Sequence, residues 1–231
     1  MKQMGLPVTF VDMVIKIYNS IEMSIQASDA YVGKVRSNIG VFQGCPLAAL
    51  LFNCFLADLA PRFHGYGPSL QGERIPCLSY ADDLALMAES IPEMKRMLLI
   101  LEEYCEENKL TINTKKTKIL VFKRGPLPNE AKFHIYGKEI EIVKQFRYLG
   151  VVFTTQLKFY AHVEHLIQKA KAKIGMLFAK TPIKEVNLNL ALSLFQCYVI
   201  PIFEYNLIVW TADFRRSMDK SIDSIFLIFF F

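Results

Sequence analysis

The chain has 231 residues, 52% of them hydrophobic and 13% aromatic, and a formal net charge of +5. That hydrophobic content excludes a disordered protein, and the length allows one large domain or two smaller ones with a buried core. The charge and a pI near 8.9 suit a polyanionic partner without requiring one.

In chain order, Phe10, Met13, Val14, Ile17 and Tyr18 recur at helical spacing and predict an amphipathic opening helix. Met23–Ala30 and Val32–Ile39 read as two strands with a turn near Ser28-Asp29. Cys45-Pro46 starts a helix running to about Asp58, apolar nearly all round and so expected to be buried. Ile75–Ala88 is a hydrophobic hairpin with Tyr80-Ala81-Asp82-Asp83 at its tip. Ser90-Ile91-Pro92-Glu93 is a capping-box pattern, followed by Met94, Met97, Leu98, Leu101 and Cys105 at helical spacing. Glu102, Glu103, Glu106 and Glu107 read as its solvated face.

Lys118–Phe122 is strand-like, and Gly125–Asn129 is a loop. Phe133–Ile142 resembles a hairpin around Gly137-Lys138, and Phe146–Phe153 reads as one further strand. From His162 the periodicity is helical, with Val163, Leu166, Ala170, Ile174 and Leu177 on a buried face. The pattern divides near residues 154–159 into a mixed part, 1–155, and a helical part, 156–231.

Leu188–Trp210 is long enough to span a membrane. Asn189, Gln196, Pro201, Glu204 and Asn206 interrupt it and predict buried helices joined by a break instead. Ile225–Phe231 is too short to span and reads as a ragged, sticky end. Pro7 and Asp12 interrupt any secretory h-region, so the expected location is intracellular, nuclear or cytoplasmic. Five dispersed cysteines without a CxxC pair argue against zinc and disulfide frameworks.

The chemistry concentrates on Asp82 and Asp83. Adjacent carboxylates repel, and a hard divalent cation such as Mg²⁺, which takes oxygen ligands, offsets that cost. A polar turn capping two core strands is the plain alternative. Three other landmarks accompany the pair in fixed order. Gly40–Leu47 contains Gln43-Gly44 before a helix, Leu110–Asn113 precedes Lys116-Thr117, and Phe146–Val151 contains Tyr148-Leu149-Gly150.

With these four landmarks, residues 1 to about 215 resemble the reverse transcriptase of non-LTR (LINE-type) retrotransposons. The resemblance implies an α+β fold: a partial polymerase palm, an antiparallel sheet backed by helices, followed by a helical thumb. It implies RNA-directed DNA synthesis with an RNA template, a DNA primer, dNTPs and two Mg²⁺ ions as partners; that no membrane or zinc is expected follows from the interrupted apolar run and the cysteine spacing. Asp82 is then the principal metal ligand and Asp83 an auxiliary one. Lys116 would meet the leaving pyrophosphate, and Tyr80, Tyr148, Leu149 and Gly150 the primer. Gln43 and Gly44 would touch the incoming nucleotide and template, and Lys169, Lys171 and Lys173 the duplex. Tyr80 reads equally as a strand aromatic, Lys116 as a solvated lysine, and the thumb lysines as a solvated face.

Several departures accompany the resemblance. Met4-Gly5-Leu6-Pro7 corresponds to the helix end that follows the family's first catalytic Asp, so that Asp and the fingers are expected to be absent. Phe42 and Ala48-Ala49 stand where the family commonly has a basic residue or Pro, and Ser-Pro. The expectation is a truncated polymerase fragment inactive alone. The alternatives are a non-catalytic nucleic-acid-binding remnant, or a chain whose open palm edge prevents stable folding.

Overall fold

The computed structural model describes residues 4–27, 30–35, 40–42, 44–123, 131–180, 187–211 and 224–230. The chain divides into two compact units, Met1–Arg62 and Phe63–Phe231.

In the first unit, α1 (Val8–Ser20) is the predicted opening helix, with Val11 and Val14 buried. Strands β1 (Met23–Ala27) and β2 (Ala30–Val35) form the expected antiparallel hairpin. Helix α2 (Pro46–Phe55) starts where Pro46 predicts, because proline fits the first turn where no intrahelical donor is required. It differs from expectation in that none of its residues is buried. An apolar surface on every side needs neighbours on every side, and one helix and one hairpin cannot supply them. The unit closes with α3 (Leu59–Arg62), where Leu59 is buried.

The second unit is built on a β–α–β core. Strands β3 (Ser69–Leu70) and β4 (Glu73–Arg74) pair antiparallel. Strands β5 (Cys77–Tyr80) and β6 (Asp83–Ala88) then form the predicted hairpin. Leu84, Ala85, Leu86 and Ala88 of β6 are buried, so the strand is apolar on both faces, as an interior strand requires. Helix α4 (Ile91–Glu107) packs on β6 and buries Met94, Met97, Leu98, Leu101, Tyr104 and Cys105. Ser90 caps it by accepting from the Glu93 amide at 3.3 Å, and the Glu93 carboxylate accepts from the amides of Glu89 and Gly67, each at 2.7 Å. Glu103, Glu106 and Glu107 are exposed as expected. Glu102 is half-buried and accepts from the Tyr136 amide at 2.6 Å.

Strand β7 (Lys118–Lys123) follows, then β8 (His134–Ile135) and β9 (Lys138–Glu139) around a Tyr136-Gly137 turn, and β10 (Ile142–Val143), parallel to β7. The stretch predicted as one strand over Phe146–Phe153 is a hairpin, β11 (Gln145–Tyr148) and β12 (Val151–Thr154). Its two-residue turn has positive φ at both centres, Leu149 (45°) and Gly150 (83°). That geometry reverses the chain within the twist of paired strands.

Helices α5 (Tyr160–Lys180), α6 (Leu188–Tyr198), α7 (Ile200–Glu204) and α8 (Leu207–Thr211) form the helical part. Leu166 and Ala170 of α5 pack with Val199 and Ile202, and Ile174, Leu177, Phe203 and Trp210 border them. Pro201 and the positive φ of Asn206 (52°) mark the breaks expected within 188–210. Helix α6 is the exception to the expected burial: none of its residues is buried, and Leu188 is 73% exposed. Its apolar residues recur around the whole helix, and packing covers only one side.

The closing apolar run does not behave as a ragged end. Ser224–Phe230 forms β13, the middle strand of a five-stranded sheet ordered β10-β7-β13-β6-β5. It lies where β6 and β7 would otherwise each present an open edge. No described helix is long and apolar enough to cross a membrane.

Candidate active site

Tyr80 and Asp83 are the last cross-strand pair of the β5–β6 hairpin, which leaves Ala81-Asp82 as a two-residue turn. Ala81 holds a φ of 53°, a left-handed conformation that costs an L-residue roughly 1–2 kcal/mol. The turn presents Asp82 to solvent, while Asp83, the first residue of β6, is half-buried. Tyr80 is 67% exposed beside them.

Burial pushes the Asp83 carboxyl above the ordinary carboxylate value, the adjacent Asp82 charge pushes it further, and the Lys116 ammonium opposes both. The Tyr148 hydroxyl is raised by burial and by the Asp83 charge. The carboxylate pair, Lys116 and Tyr148 therefore share one electrostatic environment, although they come from three separate segments.

Local sequence explains how each arrives. Lys116 stands on a turn built by Asn113, whose side-chain oxygen accepts from the amides of Lys115 (3.2 Å) and Lys116 (3.3 Å). The buried Thr117 hydroxyl donates to the Asn113 carbonyl at 2.9 Å and fixes the entry to β7. Tyr148 ends β11 and packs with Ala85, Leu120 and Phe122. Leu149, assigned by the resemblance to the primer, is partly buried against the same cluster.

The space at Gly150, read from the sequence as room for a nucleic-acid backbone, is filled within the chain. A Cβ there would lie 2.9 Å from Cε1 of Tyr205. The Tyr205 hydroxyl donates to the Leu149 carbonyl at 3.0 Å, and Asn206 Nδ2 donates to the same oxygen at 3.4 Å. The sequence marks Asn206 only as an interruption of the apolar run and does not mark Tyr205 at all, since neither points to Leu149 without the fold.

Gly44 belongs to the first unit, where it has a φ of 84°, and a Cβ added there would meet nothing within 4 Å. Such a turn is open to close approach of another backbone. Cys45 closes it by donating its amide to the Phe42 carbonyl at 3.1 Å. Tyr18 of α1 pins the turn from outside, with its ring 5.2 Å from that of Phe42 and its hydroxyl 3.9 Å from Cys45 Sγ. Gln43 lies outside the described residues.

On α5, Lys169 and Lys171 are exposed, whereas Lys173 lies over the Tyr198 ring, 5.5 Å from its centroid. His162 is fully buried; its Nδ1 accepts from the Val152 amide at 3.3 Å, and Nε2 has no partner among the described residues. The ring meets Trp210 edge-on at 5.8 Å. Burial and then the nearby His165 lower its titration. These contacts give it a structural role, tying α5 to Val152 of β12 and Trp210 of α8.

Asp82 and Asp83 are hard oxygen donors of the kind a divalent cation takes. Among the described residues no group of three or more His, Cys, Asp or Glu could hold a metal ion. The donor set fits a cation in kind, and the pair is a partial set in number.

A family model described as reverse transcriptase (RNA-dependent DNA polymerase) matches residues 5–153, well over half of the chain, and the chain belongs to that family. Its relatives are of the non-LTR, LINE-type branch. Over 165 residues it is 27% identical to the "Retrovirus-related Pol polyprotein from type-1 retrotransposable element R2" of Nasonia vitripennis, covering 67% of this chain and 16% of that protein. It is 22% identical over 190 residues to the "RNA-directed DNA polymerase from mobile element jockey" of Drosophila melanogaster, covering 78% and 20%. To the "Putative 115 kDa protein in type-1 retrotransposable element R1DM" of the same species it is 30% identical over 158 residues, covering 62% and 15%. The chain thus spans a fifth or less of the length of these relatives.

Proposed function

We propose that this chain carries the palm and thumb portion of an RNA-directed DNA polymerase from a non-LTR retrotransposon, with the palm over 1–155, joined by the strand Ser224–Phe230, and the thumb in the helices that begin after residue 155. The observation that carries this reading is the Ala81-Asp82 turn, which presents Asp82 to solvent beside the half-buried Asp83, with Lys116 and Tyr148 electrostatically linked to the same carboxyl. Asp82 and Asp83 would hold Mg²⁺, which when bound stabilises charge on the attacking and leaving oxygens of nucleotidyl transfer. Lys116 balances negative charge at that end of the sheet, where a leaving pyrophosphate adds more. Tyr148 faces the primer, Tyr80 flanks its end, and Gln43-Gly44 serves the template and the incoming dNTP, while the Leu149-Gly150 turn is held by Tyr205 and Asn206.

Two carboxylates do not fix a pair of cations, because holding coordination geometry is what the protein contributes to metal catalysis. The 231 residues alone are therefore expected to be inactive. A primer-extension assay on an RNA template with Mg²⁺ tests this: no incorporation is expected, and robust dNTP incorporation by the purified chain would overturn it. Separately, Mn²⁺ binding lost in Asp82→Asn supports the metal assignment, and binding unchanged in that variant removes it.

A second reading is a nucleic-acid-binding remnant without catalysis, favoured by the exposed Lys169 and Lys171 on α5. Filter binding of an RNA–DNA duplex across a salt series tests it, since phosphate contacts weaken steeply as salt rises. Absent or salt-independent binding would rule it out.

A further inference from the structure

Strands β6 and β7 are successive strands of the β–α–β unit joined by α4, yet they do not pair with each other. β13 lies between them, antiparallel to both. It pairs with β6 from Phe226↔Ala88 to Phe230↔Leu84, and with β7 from Ser224↔Lys123 to Phe229↔Lys118. Without it, β6 and β7 would stand about two strand spacings apart, roughly 10 Å, with both facing edges unpaired. Those edges belong to the most buried strands of the unit: Leu86, Ile119 and Leu120 are fully buried. The slot therefore demands an occupant.

The occupant comes from far away in sequence. Ser224 follows α8 by twelve residues, 212–223, and the strand's principal neighbours are β6 and β7 rather than the helices before it. Its sequence, SIFLIFF, has no charge, proline or glycine and high strand preference, so outside the slot it seeks another ladder. The same strand of a second molecule offers the same backbone groups, side-chain order and register. Only the tether separates the two cases. Twelve residues can span at most roughly 40 Å, so the molecule's own strand has the advantage at low protein concentration and a second copy's strand gains as concentration rises.

We propose that the slot between β6 and β7 is a strand-acceptor site whose occupant in trans is Ser224–Phe230 of a second copy of this chain, giving a strand-exchanged dimer. Exchange leaves the ladder unchanged and converts an intramolecular pairing into two reciprocal intermolecular ones, the low-cost route to a dimer. The inference does not depend on polymerase activity.

The test mixes two full-length variants, Ala88→Cys and Phe226→Cys, which sit opposite each other across β6 and β13. They are mixed at high concentration after a brief denaturant pulse, oxidised, and mapped by mass spectrometry. The expected result is a disulfide joining the introduced thiol at position 88 of one molecule to the introduced thiol at position 226 of the other. The linked dimer should grow more abundant as protein concentration rises. Hydrogen exchange should show β6 and β7 amides equally protected in monomer and dimer. A monomer at every concentration without the intermolecular link overturns the proposal. So does a dimer in which β6 and β7 amides lose protection, or one formed equally by Ile228→Pro, which lacks a ladder donor. Equal occupation by an unrelated apolar peptide overturns the identity of the occupant.

Discussion

Tyr205 donates its hydroxyl proton to the carbonyl oxygen of Leu149 over 3.0 Å, across 56 residues of sequence. Its ring closes on Gly150, and the helical segment thereby clasps the turn that carries Tyr148 toward Asp83. Tyr205→Phe should cost about 0.5–1.5 kcal/mol in denaturant unfolding, the net worth of one hydrogen bond. Gly150→Ala should cost more, because the methyl meets the ring at 2.9 Å and the backbone has a φ of 83°. Adding Tyr205→Ala to Gly150→Ala should relieve the clash but not the backbone strain, so the two effects should fail to add.

The Asp83 carboxyl binds its proton more tightly when folded than when unfolded. Ionisation therefore costs the folded state stability as pH rises from the ordinary value of 3.8 through the raised one. Asp83→Asn should melt at a higher temperature than the natural chain at pH 7, and the difference should vanish below about pH 3.5. Mn²⁺ should raise the melting temperature of the natural chain and leave that of Asp82→Asn unchanged. A variant no more stable than the natural chain at neutral pH would contradict the account in which burial, and then the Asp82 charge, disfavour the ionised Asp83.

His162 has the opposite sign. Its folded-state titration lies below the ordinary value of 6.5, so the unfolded chain takes up the proton first as pH falls. Stability should be full above the ordinary value of 6.5 and decline from there through the lowered folded value. Protonation also removes Nδ1 as acceptor for the Val152 amide. His162→Phe should flatten this decline between about pH 7 and 5, measured by urea unfolding at a series of pH values.

Ala81 supports a prediction from backbone geometry alone. Ala81→Gly relieves a φ of 53° and should stabilise the hairpin by up to about 1 kcal/mol, partly offset by the greater freedom of glycine in the unfolded chain. Calorimetry should show a small rise in melting temperature, and a fall would mean the turn is not strained at this position.

If α5 lies along a duplex, Lys169→Ala and Lys171→Ala should each reduce the slope of log affinity against log salt by about 0.9. Lys173→Ala should change it less, because that ammonium already sits over Tyr198.

Local patterns were readable wherever a segment is self-sufficient. The capping box at Ser90–Glu93 and the apolar face from Met94 to Cys105 depend only on near neighbours, and both appear as the sequence predicts. The carboxylate turn did too, because Tyr80 and Asp83 are paired across two residues. What escaped depends on distant partners. Phe146–Phe153 looks like one strand until Leu149 and Gly150 both take positive φ, and Tyr205 supports that turn from the other end of the unit. Helices α2 and α6 look buried because their residues are apolar, but burial is set by the surface available to cover them. The run Ile225–Phe231 looks ragged because no local signal tells an interior strand from a loose end.

The position of that strand also dictates the order of events during synthesis. Lys123 and Ser224 are paired neighbours although about a hundred residues of chain lie between them. Strands β6 and β7 leave the ribosome long before the strand that joins them, so they must wait with two bare edges while the whole helical segment is made. Contacts between such distant residues form slowly, and unpaired edges are where nascent chains stick together. Yield from expression should therefore depend on chaperone supply and translation rate more than on the final stability of the sheet.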